Sequence, residues 1–249
     1  NSSTPVAERQ NYGGTSTLGN NVTRNRLTLD GSVPTQSYYG GYNQSTSGDA
    51  TYNELVSTGN WGSTATGTPI YGGFSHGGNA THNTITLSGY LYDGGYALYG
   101  GKSDKSGADE TTGNTLKVTT KSNWVYTIYN FEKMNYVLGS GINSGDTMLR
   151  VSVGAGRTFN WDNINVDRAG LRAWATHLAS QGNNTPNATL YSSSSSAALT
   201  LRDYEPEVIE NVGDYEFGKK ANGTGAATRT GVTWITISGN RFQNATAAP

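Results

Sequence analysis

Residues able to do chemistry are sparse in this chain of 249 residues. There is no cysteine, which removes disulfides, thiolate metal sites and a Cys nucleophile. Three histidines occur, His76, His82 and His177. His76 and His82 share a polar stretch with no third histidine beside them, so they read as solvated turn residues and no metal site is expected. The carboxylates to weigh are Asp93, Asp104, Asp109 and Glu110; the last three share a loop with Lys102 and Lys105. A glycosidase or polysaccharide lyase needs converging carboxylates, and calcium needs several oxygen ligands at a set spacing. Here acids and lysines intermingle, and the loop reads as self-neutralising. No HExxH or Walker A pattern occurs. No catalytic residue, cofactor or metal is assigned. Aromatic rings beside amides offer a different chemistry, stacking against sugars. Trp61, Tyr90, Tyr92 and Tyr96 lie in stretches of variable length and are the candidate carbohydrate-binding residues. The alternative is that these rings cover the flanks of the fold.

The charge balance narrows the function further. Lys plus Arg is 17 and Asp plus Glu is 18, for a net charge of −1. Such a chain has no general attraction for a phosphate backbone, so nucleic acid is not an expected partner. Charged residues are only 14%, which leaves Ser, Thr, Asn and Gly to cover the surface. With 34 Gly but only 6 Pro, the two together stay well short of a disordered composition. Sixteen Tyr and five Trp supply buried area in place of aliphatic bulk. No apolar run is long enough to span a membrane, and no membrane contact is expected. Asn-X-Thr triplets at Asn21, Asn79, Asn187 and Asn222 follow from the Asn- and Thr-rich composition. The chain opens in polar residues and stops at Ala247-Ala248-Pro249, so it reads as a piece of a longer protein.

What must position these residues is a repeat. Tyr-Gly-Gly occurs at Tyr12, Tyr39, Tyr71 and Tyr99. Each copy leads through small polar residues to an Asn and an alternating run: Asn25-Arg-Leu-Thr-Leu, Asn53-Glu-Leu-Val-Ser, Asn83-Thr-Ile-Thr-Leu and Asn114-Thr-Leu-Lys-Val. Period-2 alternation marks a strand with one buried face. Tyr-Gly-Gly reads as a short strand entering a turn. A unit this short cannot enclose a core, so copies must stack. With no helical period between the strands, the expected fold is all-β, a parallel β-helix solenoid with irregular flank loops. Stacked rungs set equivalent residues about 4.8 Å apart. Asn25, Asn53, Asn83 and Asn114 would then form a hydrogen-bonded ladder, and Tyr12, Tyr39, Tyr71 and Tyr99 an aromatic stack.

Residues 12–118 hold the four regular repeats and 119–249 read as degenerate rungs and loops of one β-helix segment, 1–249. Residues 167–179 allow one short helix, with Asp167 as N-cap, Leu171, Trp174, Ala175 and Leu178 on one face, and Gly182 closing it. Two short strands are the alternative there. The serine run Ser192–Ser196 reads as linker or strand edge. Tyr215 to Gly239 reads as a degenerate last rung.

The motif resembles the repeats in passenger regions of large bacterial autotransporter (type V secreted) adhesins of the fusobacterial and Veillonella/Selenomonas type. Gly113-Asn114-Thr115-Leu116, Asn130-Phe131, Tyr136 and Gly145-Asp146-Thr147 fit the block that closes such repeats, and the likeness covers about residues 12–153 well. The resemblance implies a right-handed parallel β-helix displayed outside a Gram-negative-type envelope, with a role in attachment or aggregation. Its partners would be a host or bacterial surface protein or glycan, with self-association into a fibre or matrix as an alternative. A carbohydrate-active β-helix enzyme is the further alternative, and two or more converging carboxylates would mark it. An N-terminal signal and a C-terminal barrel are missing from the sequence, which fits a fragment.

Overall fold

Each alternating run has one apolar face and no partner within its own repeat, so neighbouring copies supply the cover. In the computed structural model, which describes residues 11–30, 37–154 and 157–242, this stacking yields parallel sheets that form a β-solenoid of about five turns. The two ends of the 1–249 segment lie outside the described residues.

One sheet carries the Tyr-Gly-Gly copies, in the order Asn11–Tyr12, Tyr38–Asn43, Thr68–Ser75, Tyr96–Ser103 and Thr127–Tyr129. Its register aligns Tyr12, Tyr39, Tyr71, Tyr99 and Tyr129. The second sheet carries the alternating runs Arg26–Leu29, Glu54–Ser57, Thr84–Leu87 and Thr115–Val118, then Lys133–Tyr136 and Ile164–Val166. Leu27, Leu55, Ile85, Leu116, Met134 and Ile164 form one column of it. Tyr38, Ile70, Leu98 and Ile128 form an inward column on the facing sheet, and all but the partly buried Leu27 join one continuous core cluster. Each fully buried side chain of this size contributes about 2 kcal/mol of transfer free energy.

The Gly-Gly pair is not a turn. Strands Thr68–Ser75 and Tyr96–Ser103 run straight through it. The first glycine of each pair is there because the carbonyl of the next rung presses on it, and the second because the ladder asparagine of the same rung does. A Cβ at Gly73 would stand 2.5 Å from Asn83 Nδ2, and Gly41 and Gly101 face Asn53 and Asn114 in the same way. The two halves of the repeat signature are therefore one contact. A small third sheet also replaces the expected variable loops, since Trp61–Gly62 pairs in register with Leu91–Tyr92.

Beyond the regular repeats, Asn123–Val125, Thr147–Val151 and Asn187–Ser193 continue in parallel. The stretch Tyr215 to Gly239 departs from the rung expected of it. Tyr215–Ala221 pairs antiparallel with both Glu207–Val212 and Trp234–Arg241, and the latter closes antiparallel on Asn187–Ser193. The reason is local: only Gly213 and Asp214 separate Val212 from Tyr215, and a two-residue link can join antiparallel strands only. The serine run begins inside strand Asn187–Ser193, which takes Ser192 and Ser193, and continues into a 3-10 turn at Ser195–Ala197 before strand Leu199–Arg202.

The helix runs Arg168–Ser180. Asp167 caps it by accepting from the Gly170 N–H at 2.7 Å. Leu171, Trp174, Ala175 and Leu178 are buried, and Gly182 follows in the left-handed conformation. Trp174 Nε1 donates to the Ile142 carbonyl at 2.9 Å and its ring stacks on Phe217, which ties the helix to the antiparallel hairpin.

Candidate functional site

Most polar side chains singled out in the sequence face the neighbouring rung. Asn25, Asn53, Asn83 and Asn114 stand one above another. Nδ2 of each of the first three donates to Oδ1 of the next, at 3.0, 3.1 and 3.3 Å. That same Oδ1 also accepts the backbone N–H below it. Asn114 ends the series by donating to the carbonyls of Ala80, Glu110 and Asn130. A second series runs along the surface: the N–H groups of Asp49, Asn79 and Asp109 donate to the side chains of Asn21, Asp49 and Asn79 at 2.7–2.9 Å.

The tyrosines of the first sheet present a stack of rings. Tyr39, Tyr71, Tyr99 and Tyr129 follow at 4.8–5.0 Å with interplanar angles of 12–30°, whereas Tyr12 leans on Tyr42 at 5.9 Å. Tyr129 belongs to the stack although Asn130-Phe131 replaces its Gly-Gly. Arg157 closes it, with its guanidinium 3.8 Å above the Tyr129 ring. The ring faces are covered by one another, so this stripe offers edges and hydroxyls rather than a platform for a sugar.

The candidate carbohydrate patch does not assemble. Trp61 and Tyr96 are fully buried and pack edge to face at 5.4 Å, because their strands turn them inward onto Tyr38 and the core. Tyr90 and Tyr92 remain on the surface, 5.6 Å apart.

The acids do not converge either. Asp104 pairs with His76 Nδ1, and His76 Nε2 meets the Tyr42 hydroxyl at 2.9 Å. Burial, then the Asp104 charge, then Tyr12 raise the Tyr42 phenol above its ordinary range, so Tyr42 serves as a hydrogen-bond partner and not as a phenolate. His76 is thus a bridge between rungs and not a solvated turn residue. His82 stacks on Tyr52 at 4.8 Å. Glu110 accepts from Lys102 Nζ, the Ser103 N–H and Asn130 Nδ2. At Asp109 burial works upward, but hydrogen bonds from Thr112 and Thr111 and the nearby His82 prevail and hold the carboxyl below its usual value. Asp93 adopts positive φ beside Gly94 in a turn. Gly73-Phe74-Ser75-His76-Gly77 has the Gly-x-Ser-x-Gly spacing of a nucleophile elbow, which requires a strand–turn–helix. Ser75 instead ends a strand and is fully buried, donating to the Gly48 carbonyl at 2.8 Å.

An open groove of about 630 Å³ lies elsewhere, on the outer face of the third large sheet. Sequence reading passed over it because its residues come from three distant segments. Trp124 pairs with Arg150, Arg150 with Ser192 and Ser192 with Trp234, which forms a single cross-strand row. The Trp124 indole is held by its Nε1–H to Ser152 Oγ at 2.6 Å and rests on Gly94, where a Cβ would come within 2.7 Å of the ring. The Arg150 guanidinium lies over the same ring, 4.8 Å from its centroid. Asp146 at the rim is engaged by Lys121 at 2.8 Å and by the Asn143 N–H. Ser194 Oγ donates to the Ser152 carbonyl and bonds Ser196 Oγ. This is a cation fixed on an aromatic base among hydroxyls.

Fold and site together define a β-solenoid closed at its C-terminal side by an antiparallel hairpin. Comparison with family models, with curated proteins and with solved structures finds no match.

Proposed function

We propose that the chain is a non-catalytic attachment scaffold that works outside the cell, as the resemblance to bacterial surface adhesins implies. The observation that carries this reading is where the polar groups go. The ladder asparagines and the Asp104 and Glu110 carboxylates are taken up in bonds from one rung to another or within a rung, which stiffens a rod, whereas the groove around Arg150 stays open to solvent. A rigid rod with an open polar groove suits holding a surface more than turning over a substrate. Binding would need no conformational step, because the groove floor is a hydrogen-bonded sheet.

The test coats microspheres with the purified chain and counts their attachment to epithelial and bacterial cell layers against albumin-coated spheres. Attachment above the control supports the scaffold. Equal attachment, or release of reducing ends from a polysaccharide panel, overturns it in favour of an inert rod or an enzyme respectively.

A further inference from the structure

Arg150 is held ready for an anion that the described residues do not provide. Several other arginines spend their guanidinium on an acceptor: Arg26 on Glu54 at 3.3 Å, Arg241 on Asp214 at 3.0 Å, and Arg157 Nε on the Ile128 carbonyl at 2.7 Å; Arg150 differs from the remaining exposed ones in lining a groove on a fixed ring. Arg150 has no carboxylate or carbonyl acceptor among the described residues; its one contact is the face of Trp124. It is exposed, yet its platform is locked by Ser152 and Gly94. A planar guanidinium laid on an indole loses little entropy when it grips a ligand and presents a fork of N–H donors matched to a carboxylate.

The surroundings point to a sugar acid. The one carboxylate on the groove wall, Asp146, is neutralised by Lys121. Exposed Lys220 on the strand beyond Thr236 is offset by Glu216 on the same face, so the groove's net positive charge is that of Arg150. The remaining lining is largely hydroxyl, with Thr147 and Ser192 to Ser194. Trp234 stands next to Ser192 in the row, half-buried on the same face. Three strand steps of about 4.8 Å separate Trp124 from Trp234, giving a trough about 14 Å long. Ordered hydroxyls, an aromatic wall and one fixed cation form the usual complement to a chain of hydroxylated rings that bears carboxylates.

We propose that this groove binds acidic glycans, with Arg150 clamping the carboxylate of a uronate or sialate unit and Trp234 walling the neighbouring sugar. The assignment rests on the attachment reading for its biological role. The experiment titrates the purified chain by calorimetry with trigalacturonate and 3′-sialyllactose, and with maltotriose and lactose as neutral counterparts. At least one acidic ligand is expected to bind tenfold or more tightly than its neutral counterpart, and added salt is expected to weaken it. Arg150→Gln should lower that affinity at least tenfold with an unchanged circular dichroism spectrum. Arg150→Lys should not restore it, because an ammonium lacks the planar fork. Equal binding of acidic and neutral sugars, no binding of either acid, or an R150Q variant that binds like the parent overturns the proposal. Spheres that attach to cells although neither acid binds would sink the ligand alone. An acid bound by a chain that attaches to no cell would sink the attachment reading alone.

Discussion

At the scale of single residues, two positions show how tightly the stack is specified. Ser57 sits in a column with Leu29, Leu87, Val118 and Tyr136. It is 1% exposed and its hydroxyl has no hydrogen-bond partner. A buried hydroxyl left unbonded costs about 1–3 kcal/mol, so Ser57→Ala is expected to raise stability by about 1 kcal/mol in urea melts. A lower midpoint would show that the oxygen is bonded after all. Asn83 is the opposite case. Its side chain bonds Asn53, the Ala50 carbonyl and Asn114, and Asn83→Ala should cost about 3–5 kcal/mol. Gly73→Ala should also destabilise strongly, because the new methyl meets the Asn83 amide. In the double mutant that amide is gone, so the second change should add little. Additive losses in the four-member cycle would disprove the coupling of glycine to asparagine.

At the scale of elements, the helix Arg168–Ser180 tests whether docking outweighs propensity. Glycine in a helix costs up to about 1 kcal/mol relative to alanine, and Gly170 stands in the first turn, three residues past the Asp167 cap. It is also buried, and a Cβ there would strike the Leu138 carbonyl. Gly170→Ala is therefore expected to destabilise by about 1–3 kcal/mol despite its better propensity. Ala169 next to it is exposed, and Ala169→Gly should cost at most about 1 kcal/mol, the propensity alone. A stabilised G170A variant would mean that the helix is not pressed against the rung. The hairpin at the other side is protected differently. Its outer strand Glu207–Val212 is bulged between Ile209 and Val212 and begins with Glu207 paired to Lys219, features that discourage a further strand from adding there.

At the scale of the whole molecule, buried phenols should govern the alkaline limit. Desolvation pushes Tyr38, Tyr96 and Tyr191 up to about 12, and drives Tyr136 well above its ordinary value. In the unfolded chain a tyrosine ionises near pH 10. Below that pH both states hold the proton and stability is complete. Between about 10 and 12 the unfolded chain releases protons that the folded chain retains, so stability falls as pH rises. Each of the three contributes a loss of about 1 kcal/mol by pH 11. Phenolate absorbance and far-UV circular dichroism are expected to change together in one steep transition in that window. Gradual phenolate formation near pH 10 with the strand signal intact would contradict the burial.

Much of the fold was legible because the repeat is a local code. Alternation fixes which face of a strand is apolar, a 28-residue unit cannot bury that face alone, and Asp167 with the period of Leu171, Trp174 and Leu178 marks a helix. Four things needed the assembled chain. The role of the second glycine in each pair depends on an asparagine 10 to 13 residues away pressing on it from within the rung (a contact that spacing does not display). The burial of Trp61 depends on a two-residue strand too short to show a period, and that of Tyr96 on a strand buried at three positions running, which breaks the alternation. The direction of Trp234–Arg241 depends on its pairing with Asn187–Ser193, a strand far back in the chain. The row Trp124–Arg150–Ser192–Trp234 exists only because four strands far apart in the chain lie side by side. Sequence determines the inward and outward faces, since that is a matter of period within one strand; which outward residues become neighbours is decided by register between strands, and that only the tertiary structure sets.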